Sequence, residues 1–470
     1  MPTYFYPKDA YPIMNQLTRQ ISGQDAISVT DTSSFVTAGT QVLEAGYENV
    51  MNALSVLISR TIVAARPYTG KFKLINAESS AFDNRARKIS FYSKLAQASG
   101  AFNTDLYTNL GAGLDDDSGA GSMWEQNPSI PVEKYFFNSN TYDFSQSETV
   151  EQLKIAFQNE ESFIDFLNGA RTEVMNDLEQ QKEAKARAVV LDRIAGTKLL
   201  VDKGELGAEC AVNLTADFNA KHGTTYTTAE LLEEHTIAFL KHFIARIKND
   251  SDMLTNRTAL FHDPMTKQIN SVDYNVLRHT PKDLQKFIYN SRLFTQIDLD
   301  LSEIFHPEYL QIPNGEGVQY WQGVSDPYKI DIKPALPENA ASSEVEIPIV
   351  VGMLFDYDAL ITNIRFESMN ATPLNARHLY RVNWWHFLFS NWNDYSENGI
   401  VYYMSDTTTE YFTGDGTEDD FQLKATPTSV ESVTVNGVAQ TVTTNYTVSG
   451  DTVTFVTAPA ADAIIQIIYK

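Results

Sequence analysis

The sequence predicts an α+β chain that carries an appended small β-sandwich of immunoglobulin-like type. Three observations predict it. Apolar residues recur at helical spacing from about 149 to 195, and short apolar runs suited to strands fill much of 258–365. After Thr407, brief alternating runs are split by turn signals.

A chain of 470 residues has room for about two to four domains. Hydrophobic residues at 43% and aromatics at 11% place it among folded rather than disordered chains. The net charge of −24 argues against a surface that grips DNA phosphates everywhere. It suits a protein whose copies meet through local charge complementarity. A single cysteine, Cys210, cannot form an intrachain disulfide, so folding in a reducing compartment is expected. Met1–Lys8 does not read as a secretory signal, and no apolar run reaches the length of a membrane span.

Along the chain, residues 1–40 read as an extended arm. Its aromatic opening, Tyr4, Phe5, Tyr6 and Tyr11, has reason to dock on another surface. Residues 40–64 carry a helical pattern through Val42, Leu43, Val50, Met51, Leu54, Leu57 and Ile58. The stretch 60–94 is basic, with eight Lys and Arg against Glu78 and Asp83. Residues 95–131 are glycine-rich and read as a protruding loop or hairpin. Thr149-x-x-Gln152 resembles a capping box, Asn159 is placed to cap a second helix after a break, and Gly196 marks the expected stop. The stretch 148–179 is acidic, with eight Asp and Glu against Lys154 and Arg171. Residues 228–250 read as one further amphipathic helix. An aromatic block, Trp384, Trp385, Phe387, Phe389 and Trp392, reads as core or subunit interface, with a strand expected at Ile400–Met404. In the last stretch Asn436-Gly437 and Ser449-Gly450-Asp451 suit hairpin turns.

Patterns of reactive chemistry are sparse. Ala195-Gly196-Thr197-Lys198 lacks the spacing of a phosphate-binding loop. Cys210 with His222 downstream is the best nucleophile candidate, and nothing in the spacing marks it. His235 and His242 are seven apart on one helix rather than the four that helical zinc sites prefer. Asp115–Asp117 and Asp415–Asp420 do not match a calcium loop. No enzyme activity, metal or cofactor is expected.

The order of parts carries a resemblance. The segments concerned are Tyr135-Phe136-Phe137-Asn138 through Tyr142-Asp143-Phe144, then Leu153–Phe157, then Glu161-Ser162-Phe163-Ile164-Asp165-Phe166. Near the end come Tyr380-Arg381-Val382-Asn383-Trp384-Trp385-His386 and the strand Ile400–Met404. The chain resembles major capsid proteins of short-tailed bacteriophages, with the Hong Kong 97-type fold. The resemblance implies an N-terminal arm and leading helix at 1–59, an E-loop region at 60–134 and a peripheral domain with a long spine helix at 135–227. It further implies an axial domain at 228–376, return strands of the peripheral domain at 377–406 and the small β domain at 407–470.

It also implies a structural subunit assembling as hexamers and pentamers into an icosahedral head around double-stranded DNA. Scaffolding, portal and other head proteins would be partners, assembly would occur in the bacterial cytoplasm, and no membrane would be involved. Another virion component, portal or tail, is the alternative, and a cytosolic hydrolase using Cys210 a more distant one. In this fold a loop crosses a neighbour's spine, so Arg85, Arg87 and Lys88 are expected to meet Glu160, Glu161 or Asp165 of an adjacent copy. Tyr4, Phe5 and Tyr6 are expected to strap a neighbour. The acidic β domain, with eight Asp and Glu against Lys424 and Lys470, is expected on the outside.

Overall fold

A computed structural model describes residues 11, 14–15, 30, 32–44, 70–75, 86–93, 129–136, 139–149, 160–269, 272–293, 314–336 and 342–470. Helix α1 is Thr32–Glu44, strands β1 to β3 are Ala86–Phe91, Pro131–Phe136 and Ser139–Thr149, and the long helix α2 is Glu160–Asp202. Strand β4 (Ala211–Asn213) leads into α3 (Leu214–His222), α4 (Thr228–Glu233) and α5 (Thr236–Met253). Strands β5 to β10 are Lys267–Ile269, Val272–Tyr274, Gln285–Asn290, Gly315–Val318, Ile330–Ile332 and Val345–Ile347. Strands β11 to β14 are Ile349–Asp356, Leu360–Ala371, Tyr380–Asn393 and Gly399–Met404. Strands β15 to β21 are Thr408–Thr413, Asp420–Gln422, Val430–Val435, Val438–Ala439, Tyr446–Ser449, Thr452–Phe455 and Ile464–Tyr469. The chain is therefore α+β, as its sequence predicts.

The centre is a five-stranded sheet in the order β4-β14-β11-β7-β8, with two parallel pairs, β14 with β4 and β7 with β8. Both faces are covered, which is why β14 is buried at every position. Alternate residues serve alternate cores. Met353, Phe355, Val401 and Tyr403 pack with Val190, Ile194 and Leu199 of α2. Leu354, Ile400, Tyr402 and Met404 pack with Phe218 of α3 and Phe239, Phe243 and Ile247 of α5. The second sheet, β12-β13-β3, is antiparallel. On β13, Trp385, Phe387 and Phe389 are buried, and Phe387 and Phe389 meet Phe144 and Tyr142 edge to face, with ring centres 5.7 Å apart in both pairs. The aromatic block is thus core, as one of its two sequence readings has it. Strands β11 and β12 lie in the stretch expected as axial domain, yet pair with the return strands β14 and β13.

Helix α2 begins at Glu160, where the second helix after Asn159 is expected, and departs from its expected bound at the C-terminal end. Thr149 closes strand β3, opposite Tyr380. Asn159 and Gln152 lie outside the described residues. At the other end, the helix runs through Gly196 to Asp202. Gly196 is not a stop. A β-carbon there would sit 2.0 Å from the Tyr395 hydroxyl oxygen, so glycine is needed for that side chain to approach the helix. The predicted helix at 228–250 is two, because the chain breaks at Glu234 and His235. The first is opened by a capping box between Thr227 and Glu230.

The last strands form two sheets, β15-β21-β17-β18 and β16-β20-β19, around a core of Phe421, Leu423, Val433, Val453, Phe455, Ile465 and Ile467. Asn436 and Gly437 both adopt positive φ, 50° and 77°, at the β17–β18 hairpin predicted there.

Replacing Gly196 with alanine is expected to destabilise the chain by about 1–3 kcal/mol through overpacking. Thermal unfolding should show a lowered Tm, and the double variant with Tyr395→Phe, which removes the clashing oxygen, should recover part of it. A single variant as stable as the native chain would refute the close-approach reading.

Candidate functional site

The most concentrated chemistry lies where the β1–β2 hairpin meets the turn between β13 and β14. The hairpin is antiparallel, with Lys88 opposite Lys134 and Ser90 opposite Val132. Strand alternation sends Lys88, Ser90 and Lys134 toward the body and Ile89, Phe91 and Tyr135 to the other face. The inner face therefore carries both lysines together with Phe136, which stacks on Trp392, and the outer face carries Glu133 beside the apolar side chains.

Opposite it stands the corner Asn393-Asp394-Tyr395-Ser396-Glu397-Asn398. Lys88 Nζ is 2.9 Å from Asp394 Oδ2 and 2.5 Å from Glu397 Oε1. Lys134 Nζ is 3.4 Å from Asp394 Oδ1. Arg278 Nη2 reaches Glu397 Oε1 at 3.1 Å and donates to Ser90 Oγ at 2.6 Å, joining hairpin and corner a second time. Ser396 donates to Asp394 Oδ1 through both its backbone N–H and its hydroxyl.

The same corner is held from below by α2. Arg193, fully enclosed, donates from Nη1 to the Asp394 carbonyl at 2.6 Å and to Asn393 Oδ1 at 3.2 Å. Its Nη2 donates to the Glu397 carbonyl at 3.0 Å, and its plane lies 4.5 Å from the Tyr395 ring centre. A cation in this largely buried stretch of α2 is tolerated because its Nη donors meet fixed carbonyls. The corner thus turns its carboxylates to the hairpin and its main chain to the helix.

Charge sharpens the arrangement. Burial pushes Asp394 up, but Lys88 and Lys134, with the Ser396 hydrogen bonds, outweigh it and hold the carboxyl well below the ordinary range. For Lys88 burial favours loss of the proton, while Asp394 and Glu397 reverse this and leave the ammonium raised. Glu397 goes the other way, because burial outweighs Lys88 and Arg278 and raises it.

Of the residues singled out by sequence, Lys88 is brought into this cluster. Its ammonium is engaged within its own chain rather than left free for a neighbour. Arg87 lies on β1 opposite Tyr135. Glu160, Glu161 and Asp165 lie on the first turns of α2. Arg85, Tyr4, Phe5 and Tyr6 lie outside the described residues, as do Asp115–Asp117. Sequence reading missed Lys134, Arg193, Arg278, Asp394 and Glu397. The available signal was Arg193, set beside Asp192 among the apolar residues of the helical run.

The candidates for reactive chemistry are dispersed. Cys210 is buried, its thiol donates to the Leu260 carbonyl at 3.5 Å, and burial pushes it up to about 12, so it stays a neutral thiol at neutral pH. His235 stacks on Tyr226, whereas buried His242 binds Asp217 Oδ2 through Nε2 at 2.8 Å. Asp415 spends its carboxylate on the backbone N–H groups of Thr417 and Glu418. Among the described residues no group of His, Cys, Asp and Glu is placed to hold a metal, and no helix is long and apolar enough to cross a membrane.

No family model and no curated protein matches the chain. Solved structures do. The chain is similar to one in the capsid structure of Staphylococcus phage Andhra, at 10% identity and a TM-score of 0.42, over 72% of this chain and 85% of that one. It is also similar to one in the capsid structure of cyanophage P-SCSP1u, at 10% identity and a TM-score of 0.37, over 72% and 90%. A chain in the acid-stable capsid structure of Helicobacter pylori bacteriophage KHP30 matches at 12% identity and a TM-score of 0.36, over 72% and 92%.

The pH dependence of the anchor follows from Asp394. A carboxyl depressed in the folded chain contributes stability fully above its unfolded value, about pH 4, and loses it as pH falls towards the folded value. Protonating Glu397 first, as its raised value requires, removes the costlier of the two buried charges. Hydrogen exchange of the β1 amides, referenced to unstructured peptide at each pH, is expected to stay level down to about pH 4 and to lose protection below it. Asp394→Asn should remove that protection at neutral pH and cost about 3 kcal/mol, because two ammonium groups lose their shared anion. Unchanged β1 protection in the variant would refute the anchor.

Proposed function

We propose that this chain is a shell-building subunit, the major capsid protein of a tailed bacteriophage head with the Hong Kong 97-type fold, enclosing double-stranded DNA. One observation carries the reading furthest. The hairpin β1–β2 turns Lys88 and Lys134 to its own body and exposes large apolar side chains, Ile89 at 47% and Phe91 at 57%, on a face shared with Tyr135 and Glu133. Soluble hairpins point the other way, so this face suits burial against another molecule. Each such side chain, already half covered, would contribute about 1 kcal/mol on full burial. That is little for one contact and sufficient when repeated around a closed shell.

The resemblance of the sequence supports the same reading, as does the order hairpin, long helix, doubly covered sheet, return strands and appended β module. In this account the hairpin lies across the acidic first half of a neighbouring α2. Arg85 and Arg87 would meet Glu160, Glu161 or Asp165 there, while Lys88 serves the internal anchor. The aromatic arm Tyr4–Tyr6 would strap an adjacent copy. Hexamers and pentamers, scaffolding and portal proteins as helpers, a virion location after assembly in the bacterial cytoplasm and a catalytically inert role belong to the same proposal. The acidic chain would line packaged DNA without gripping its phosphates.

The test is negative-stain microscopy of the full chain expressed with its neighbouring head proteins, alongside an Ile89→Lys, Phe91→Lys double variant. Closed shells from the native chain are expected, and folded but unassembled subunits from the variant. Twelve-fold rings or persistent monomers from the native chain would overturn the proposal, as would normal shells from the variant.

A further inference from the structure

Asparagine is followed by glycine at Asn168, Asn314, Asn398 and Asn436. The pair is chemically labile, because a glycine nitrogen with no side chain beside it can attack the asparagine amide carbon and close a succinimide ring. Three of these pairs are tied down. Asn168 lies within α2, where the helical backbone keeps the Gly169 N–H in its own ladder. Asn398 is buried and donates from Nδ2 to Thr280 Oγ1 at 3.0 Å, while Gly399 gives its N–H to the Phe261 carbonyl at 2.9 Å. Asn314 donates from Nδ2 to the Asp283 and Gln285 carbonyls at 3.0 and 3.2 Å, so its amide is fastened to the start of β7.

Asn436 is free where the others are held. With Gly437 it forms the two-residue turn between β17 and β18, and both residues are exposed. The Gly437 N–H makes no hydrogen bond among the described residues. A β-carbon on Gly437 would meet nothing within 4 Å, so the space around the nucleophile is open. The electrophile, in contrast, is positioned. Asn436 donates its N–H to the Ile464 carbonyl at 2.8 Å, and the Ile464 N–H donates back to Asn436 Oδ1 at 2.9 Å. That donor polarises the side-chain carbonyl and stands where its oxygen gains negative charge during attack.

We infer that Asn436 is a site of spontaneous covalent modification, with water as the only co-reactant. The Gly437 nitrogen bonds to Asn436 Cγ, the Cγ–Nδ2 bond breaks, and the proton shed by the Gly437 nitrogen leaves with Nδ2 as ammonia. Water then opens the succinimide at either carbonyl to give isoaspartate or aspartate, and nothing is oxidised or reduced. Both products add a negative charge to a module that already carries eight acidic side chains against two basic ones. Isoaspartate also inserts a methylene into the main chain of a turn whose length sets the pairing of Val435 with Val438 and of Thr434 with Ala439. The tip of the module therefore changes charge and strand register as the protein ages.

The test incubates the full chain in warm, mildly alkaline buffer and then digests it with chymotrypsin in slightly acidic buffer, which spares further conversion. Each Asn-Gly peptide is followed by mass, and isoaspartate is read by enzymatic methyl-ester labelling. The Asn436 peptide is expected to show the mass gain of NH replaced by O and to take up label, several-fold faster than the peptides of Asn314 and Asn398. Asn436→Gly, which suits the turn and has no side-chain amide, should lose that label. Hydrogen exchange of the aged chain should be faster at the β17–β18 hairpin than in fresh protein. An Asn436 peptide that converts no faster than the other two overturns the inference, as does undiminished label in Asn436→Gly.

Discussion

The structure turns on one constraint, a polar corner buried between apolar layers. Asn393 to Asn398 must leave the aromatic strand β13 and enter the fully buried strand β14. Its peptide groups and carboxylates cannot be left unpaired there. Arg193 answers the carbonyls from the helix below, and Lys88, Lys134 and Arg278 answer the carboxylates from above. The arrangement fixes the long helix, the two sheets and the hairpin relative to one another. It also decides which face of the hairpin is turned inward.

That decision links packing to function. The lysines draw their own face of the hairpin onto the body, and alternation along the strand then turns Ile89 and Phe91 outward. The charged anchor thus leaves large apolar side chains exposed on the hairpin, while the candidates for reactive chemistry lie elsewhere. Cys210 illustrates the difference. Its burial and its contact with a carbonyl make it a small core residue held as a neutral thiol.

Much of this architecture was legible in the sequence. The period-two runs and Asn-Gly turn announced the β module, and the aromatic block was readable as core because its spacing suits a strand. The C-terminal bound of α2 was not. Its C-terminal half is covered on nearly every side, so no apolar stripe marks it, and Gly196 mimics a stop while serving Tyr395. The anchor was least legible. Lys88 and Asp394 are separated by 306 positions, and nothing local in either neighbourhood announces the partner. Net charge over a window likewise hides that Lys88 is spent internally while the surrounding basic residues are counted with it.

The central claim is that Lys88 and Asp394 act as one unit holding the hairpin to the corner. A double-mutant cycle with Lys88→Met and Asp394→Asn, read by denaturant unfolding of the full chain, measures their coupling directly. The account predicts a coupling of about 2 kcal/mol. Single-variant effects that simply add, to within about 0.5 kcal/mol, would contradict it.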